Sequence, residues 1–288
     1  MITTLRPVLQ AAQRHGYAVG AFNVSNLEVT QAVIEAATQQ RSPVIVSVSE
    51  SGWQYGGEGL MAAIVTLAQA APVPVVVHLD HGHSLRLVGS LLNRGFSSVM
   101  IDASALSLPQ NIASTKAVVR LAHRRHISVE GEIGTIGGIE DRFGVPQIIY
   151  PTPSDVALFV KKTGVDAVAV GLGTSHGLPV KNEHVEHELL TAIREQVSVP
   201  LVLHGASNLP PTTIRAAIRK GIAKINIDTE LRQSFTKAIA AHLHSHPDEF
   251  DPRGCLGAAR EAVLQHVMGV MKLFGSVNRS HDAGTRSW

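Results

Sequence analysis

The sequence predicts an α/β fold, a (β/α)8 TIM barrel with an extra C-terminal helical segment, and three observations carry that prediction. Short apolar runs rich in β-branched residues alternate with amphipathic stretches from one end of the 288-residue chain to the other. The runs are near-continuous in their apolar character, as in strands buried on both faces of a parallel sheet. Eight such repeats suit one barrel of about 250 residues, and no Gly-x-Gly-x-x-Gly turn follows the first strand to favour a doubly wound open sheet.

Strands are expected at Val19–Val24, Pro43–Ser49, Val73–Leu79, Ser98–Asp102, Ser128–Ile133, Ala167–Leu172, Leu201–Leu203 and Ala223–Ile227. Helical segments between them include Asn26 to Gln40, Ser84 to Arg94, Gln110 to Arg125 and Pro153 to Thr163. Ser25 or Asn26, Ser84 and Ser154 offer side-chain oxygens to free amides at helix starts. Arg94-Gly95, Thr163-Gly164 and Lys220-Gly221 read as helix ends. Two regions break the rhythm. Gly134 to Thr152, with Gly134, Gly137, Gly138 and Gly144, is a long loop after the fifth strand, the kind that usually serves as a lid or binding loop. Beyond Pro247 come Asp251-Pro252-Arg253-Gly254 and a helix at Leu256 to Phe274, outside the eight repeats, and from Ser280 the chain reads as polar and frayed. Residues 1–280 are expected to form one domain and 281–288 a disordered tail.

Composition narrows the function. Apolar residues make up 44% and aromatics 4%, so the core must be built from Val, Ile, Leu and Ala. A net charge of +2 with scattered Lys and Arg argues against a nucleic-acid surface, which gathers basic residues on one face. The single cysteine, Cys255, rules out an internal disulfide and suits a reducing compartment; it reads as a packing residue. Met1 to Pro7 shows no signal peptide and no apolar run is long enough to span a bilayer, so a cytoplasmic protein without a membrane partner is expected.

Chemistry gathers where the strands end. His78-Leu79-Asp80-His81-Gly82 closes the third apolar run with ionisable groups that cannot be buried unpaired without a cost of several kcal/mol. Two later runs also end in histidine followed by glycine, at His176-Gly177 and His204-Gly205. Three strands converging on His81, His176 and His204 match a catalytic zinc site of three histidines with an open position. Period-2 alternation puts His78 and Asp80 on one face and His81 on the other, so the strand must bend at its end. The other strand ends carry Asn23 and Ser25; Ser47, Ser49 and Glu50; Asp102 and Ser104; Glu130 and Glu132; and Asn226 with Asp228 and Thr229. The turns Gly205-Ala206-Ser207 and Asp228-Thr229 suit an anion held by amides and hydroxyls, and Lys181 adds a further phosphate contact.

These residues resemble the class II, zinc-dependent ketose-bisphosphate aldolases, the fructose- and tagatose-bisphosphate aldolase family. The resemblance runs from Gly20-Ala21-Phe22-Asn23 to Asp251-Pro252-Arg253 and rests on four motifs: His78–Gly82, Gly173-Thr174-Ser175-His176-Gly177, Leu203-His204-Gly205-Ala206-Ser207 and Lys224-Ile225-Asn226-Ile227-Asp228-Thr229. It implies reversible cleavage of a ketose 1,6-bisphosphate to dihydroxyacetone phosphate and glyceraldehyde 3-phosphate through a zinc-stabilised enediolate. It implies Zn2+ on His81, His176 and His204 with Glu132 close by, and allows a monovalent cation near the phosphate. Asp80 matches the acid/base for the aldol hydroxyl, and Glu140 the loop base that takes a proton from dihydroxyacetone phosphate. Asn226 matches a catalytic residue of the same site, with Gly177, Lys181, Gly205, Ser207, Asp228 and Thr229 around the bound triose phosphate. Asn23 and Ser49 match lesser substrate contacts. Arg253 matches an arginine that reaches a neighbouring subunit's distal phosphate, which makes a homodimer or homotetramer part of the expectation.

The chain departs from the family pattern around Asp102 to Pro109, which is more apolar, and at Gly131, where alanine is common. Asn226-Ile227-Asp228-Thr229 replaces the Asn-Val-Ala-Thr frequent in tagatose-type members and tilts the reading towards fructose. Rival readings are a family member acting on another phosphorylated sugar or a deoxy-keto sugar acid, a zinc barrel hydrolase, and a non-catalytic phosphosugar-binding barrel. The hydrolase lacks its usual His-x-His on the first strand, which ends Phe22-Asn23-Val24. A Schiff-base aldolase needs a lysine near the strand tops. The sixth strand has none, and Lys224 sits at the start of the eighth, at what the sequence makes the wrong end. His242, His244 and His246 read as solvated, His184 and His187 as sharing a helix face without a third partner, and Glu130 as either a paired core residue or part of the site.

Overall fold

The computed structural model describes residues 1–140, 143–145, 148–177, 184–207 and 209–283, with 139, 140 and 143–145 described in backbone alone. In chain order, α1 (Leu5–His15) precedes β1 (Val19–Asn23), α2 (Leu27–Gln40), β2 (Val44–Ser49), α3 (Glu50–Ala70), β3 (Val75–Gly82), α4 (Leu85–Leu91), β4 (Ser98–Ile101), α5 (Leu108–His123) and β5 (Ser128–Ile133). A hairpin of β6 (Gly137–Glu140) and β7 (Phe143–Val145) follows, then α6 (Pro153–Thr163), β8 (Ala167–Val170), β9 (Ser175–His176), α7 (His187–Gln196) and β10 (Leu201–Leu203). The chain continues through α8 (Pro211–Arg219), β11 (Ile222–Ile227), α9 (Thr229–Ser245) and α10 (Pro252–Phe274).

Eight parallel strands close into a barrel in the order β1-β11-β10-β8-β5-β4-β3-β2, the (β/α)8 fold expected from the alternating runs. Apolar residues such as Val46, Val77, Val99, Val168 and Ile225 point outward and pack under the helices, forming the larger core. Inside the barrel a second cluster joins Val19, Ala21, Ile45, Val76, Met100 and Val202 to Leu5, Val8, Leu9 and Ala12 of α1. That i, i+3, i+4, i+7 stripe makes α1 a plug under the N-terminal mouth of the barrel, leaving the C-terminal mouth for chemistry. The small residues of β8 matter next. Ala167 and Ala169 lie in register with Glu130 and Glu132, leaving room in the barrel for two carboxylates.

Local signals set most element ends. Asn26 accepts from the Val29 amide and Ser84 from the Leu87 amide, as expected of N-caps. At α6 the cap is Thr152 and not Ser154: its hydroxyl accepts from the Asp155 amide, because Pro153 lacks an N–H and takes the first helical position. Gly164 closes α6 in the left-handed conformation. Helix α4 stops at Leu91, short of Arg94.

Two sequence expectations change. The segment after β5 is not a plain loop, because its glycines form the β6–β7 hairpin, and β6 also pairs with β9. Ser280 is anchored rather than frayed, its side chain buried and its amide donating to the Arg41 carbonyl, while Asn278 donates to the Gln40 carbonyl; residues 284–288 of the expected tail lie outside the described residues. Helix α10 starts at Pro252, earlier than Leu256, with the Asp251 carboxylate capping it. No helix among the described residues is long and apolar enough to cross a membrane.

Candidate active site

The C-terminal mouth of the barrel collects the expected side chains. β3 delivers His78 and Asp80 to the interior and then bends. His81 has φ of 45°, and the register against β4 shifts between Leu79 and Gly82. A left-handed histidine is strained, and here the strain turns a side chain that alternation would point outward back over the barrel mouth. Glycines hold the second ligand. A Cβ on Gly138 would lie 2.2 Å from the His176 carbonyl oxygen, and one on Gly205 would lie 2.6 Å from that of Ser175. The Ser175–His176 backbone is therefore gripped between the hairpin and the turn after β10.

His81, His176 and His204 bring one ring nitrogen each to within 4.8 Å of one another. Their rings stand nearly perpendicular in pairs, at 84°, 89° and 87°. His81 Nε2 lies 2.9 Å from His204 Nδ1. The outer nitrogens of both rings face carboxylates: His81 Nδ1 donates to Asp102 Oδ2 at 3.1 Å, and His204 Nε2 donates to Glu130 Oε1 at 3.0 Å. Both inner nitrogens are thereby left with lone pairs that face each other, a repulsive arrangement unless a cation or a proton sits between them. Glu132 completes the set, with a buried Oε2 that has no hydrogen-bond partner among the described residues. This donor set of imidazoles with a nearby carboxylate fits a zinc ion.

Asp80 is buried beside that cluster and is gripped from two sides. Asn23 Nδ2 donates to its Oδ2 at 2.9 Å and Asn226 Nδ2 to its Oδ1 at 3.0 Å. The Asn226 amide also lies 3.5 Å from His204 Nδ1, so it bridges the carboxylate and the histidine cluster. The Oδ1 atoms of Asn23 and Asn226 are buried with no partner among the described residues. Buried polar atoms are normally satisfied, so these orphans mark positions for a ligand.

Burial shapes the proton affinities. Desolvation first, and then the Lys224 ammonium, hold His204 and His78 well below the ordinary histidine value, so both are neutral near pH 7. Burial pushes the carboxyl of Asp102 up, but the hydrogen bond and charge of His81, and then hydrogen bonds from Ser104, outweigh it and leave it well below the usual range. Burial, then the neighbouring Asp102 charge, raises Glu132 well above the ordinary value.

The substrate-side residues divide. Asn23, Ser49 and Asp228 line one cavity of about 270 Å³ with Ser51, Tyr55 and Arg232. Gly205 and Ser207 form the turn after β10, Gly177 follows β9, and Thr229 opens α9 at the end of β11. Lys181 lies outside the described residues. Glu140 ends β6, and its side chain lies outside what is described. Arg253 sits on the first turn of α10, exposed, with its guanidinium on Asp251, and bonds none of the other site residues among those described.

Three features escaped the sequence reading. The sequence puts Lys224 at the wrong end of the barrel for chemistry, yet its ammonium points into the interior and bonds both oxygens of Glu130, at 3.0 and 2.8 Å. His78 bonds Ser98 through Nδ1 at 2.9 Å. Arg232 lies at the mouth, bonded to Asp228 at 2.7 Å; its position four residues on in a helix was the available signal. His184 and His187 do not share a helix face, since α7 begins at His187 and His184 pairs with Glu186 before it. His242 is not simply solvated: it pairs with Glu249 and stacks on His246.

The family described as Fructose-bisphosphate aldolase class-II matches residues 3–279 of the chain. A fructose-bisphosphate aldolase of Thermus caldophilus is 43% identical, over 97% of this chain and 100% of that protein. One from Staphylococcus aureus is 40% identical, over 97% and 99%. Among solved structures, the YdjI aldolase of Escherichia coli superposes with a TM-score of 0.87 at 35% identity, covering 98% of this chain and 100% of that one. A fructose-bisphosphate aldolase of Campylobacter jejuni does so at 0.81 and 24%, covering 96% of each, a likeness of fold alone.

Proposed function

The chain belongs to the class II fructose-bisphosphate aldolase family, a family of metal-dependent lyases, and on that premise we propose that it cleaves fructose 1,6-bisphosphate reversibly to dihydroxyacetone phosphate and glyceraldehyde 3-phosphate. The observation that carries this reading is the Asn226 amide, which ties the buried Asp80 carboxylate to His204. A proton-carrying group beside a metal-ligand cluster is what aldol cleavage needs and what a phosphosugar-binding barrel does not.

His81, His176 and His204 would hold zinc, with Glu132 beside it. When bound, the metal supplies Lewis-acid stabilisation of the charge that develops on the ketose carbonyl oxygen, worth several kcal/mol. Asp80 takes the proton from the aldol hydroxyl during cleavage and returns it during condensation. The amides of Asn23 and Asn226 keep its oxygens aimed, and orientation of this kind underlies the 10²–10⁴-fold typical of positioned acid/base groups. Glu140, on the hairpin, exchanges the proton on the hydroxymethyl carbon of dihydroxyacetone phosphate. Gly177, Lys181, Gly205, Ser207, Asp228 and Thr229 receive the phosphate and triose, with a monovalent cation beside the phosphate; Ser49 contacts the substrate. Arg253, exposed on α10, reaches the distal phosphate of a neighbouring copy in a homodimer or homotetramer.

The names of the relatives and the Asn226-Ile227-Asp228-Thr229 sequence favour the fructose configuration. Initial rates on fructose and tagatose 1,6-bisphosphates test this. A kcat/KM at least about tenfold higher for fructose is expected; a preference for tagatose overturns the substrate assignment.

A further inference from the structure

Glu130 and Lys224 form an ion pair inside the barrel, both side chains fully buried. Burying two charges is expensive, and such a pair is weak evidence for a stabilising role, because well-packed apolar residues often do as well. What the pair touches is more informative. Glu130 Oε1 receives the Nε2 proton of His204 at 3.0 Å, and the Lys224 ammonium bonds both Glu130 oxygens. Ala167, in register with Glu130, leaves the space that the pair occupies.

The two inner histidine nitrogens are of opposite kind. His81 presents Nε2 to the cluster and keeps its Nδ1 proton on Asp102, while His204 presents Nδ1 and keeps its Nε2 proton on Glu130. A neutral imidazole offers a lone pair on one nitrogen only, and the partner of the other nitrogen decides which. Without an acceptor at Nε2, His204 is free to move its proton to Nδ1 and lose its lone pair toward the cluster. From this geometry we infer that Glu130, fixed in place by Lys224, is a positioning residue that holds His204 in its metal-binding tautomer.

This inference rests on the reading of His204 as a zinc ligand. The first measurement is the imidazole 15N spectrum of the zinc-loaded wild-type protein. His204 should show metal-bound Nδ1 and protonated Nε2. An Nε2 that is unprotonated overturns the inference, and a spectrum unchanged by zinc overturns the reading beneath it. The second is zinc affinity by chelator competition in Glu130→Leu/Lys224→Met, which removes the acceptor together with both charges and so leaves no lone buried ion. Affinity should fall about 10–100-fold, the usual effect of losing such a partner to a ligating histidine. Wild-type affinity in a folded double variant, whatever its Tm, would reduce the pair to a packing role.

Discussion

The Nε2 of His81 and the Nδ1 of His204 face each other across 2.9 Å at the mouth of the barrel, His81 backed by the half-buried Asp102 and His204 by the buried Glu130. Those nitrogens belong to residues 123 apart in sequence, and a cation or a proton between them is what lets them approach so closely.

Beside that pair, Asp80 has one role that the metal cannot cover. Asp80→Ala should lower kcat by about 10²–10⁴-fold while zinc stays bound, since the amides of Asn23 and Asn226 hold its two oxygens. Turnover with metal analysis on the same sample checks this, and retained turnover would remove Asp80 from the mechanism.

The grip on His176 makes Gly205 critical. Gly205→Ala must place a Cβ at φ of 64° and 2.6 Å from the Ser175 carbonyl oxygen. The left-handed conformation alone costs about 1–2 kcal/mol for a non-glycine residue. Relief by moving β9 would displace His176, so kcat/KM should drop on the order of 10²-fold with a lowered Tm. Unchanged kinetics would show that the contact is slack.

Stability of the metal-free protein should depend on pH through the buried histidines. His78 and His204 have folded proton affinities well below the unfolded value. Their contribution is complete above about pH 6.5 and is lost as pH falls, because the unfolded chain then binds protons that the folded one refuses. Each adds a slope of about 1.4 kcal/mol per pH unit. Glu132 has the opposite sign: its raised affinity makes the folded state lose stability as pH rises above about 4.5. Two histidines outweigh one glutamate, so unfolding free energy should fall between pH 7 and pH 5.5. Equal stability at both values would contradict the neutral burial of the pair.

Much of this was legible in the sequence because it depends on local patterns. The apolar runs set the strands, and polar residues gathered at their ends pointed to the barrel mouth, so the meeting of the three histidines followed from position, while the role given to Asp80 came from the family resemblance. Alternation even demanded the bend that His81 supplies. What stayed hidden depends on distant partners. The direction of Lys224 is decided by barrel register, which sets it against Glu130 94 residues away. The hairpin was hidden because glycine-rich sequence encodes no strand pattern, and β6 is held there by pairing with β9.

The most direct test of the account is the rate of dihydroxyacetone phosphate formation from fructose 1,6-bisphosphate before chelation, after it, and after zinc is returned. Activity should disappear with the metal and come back with zinc. Activity that survives chelation, and is abolished by borohydride only in the presence of substrate, would place the chemistry on a lysine and contradict the account.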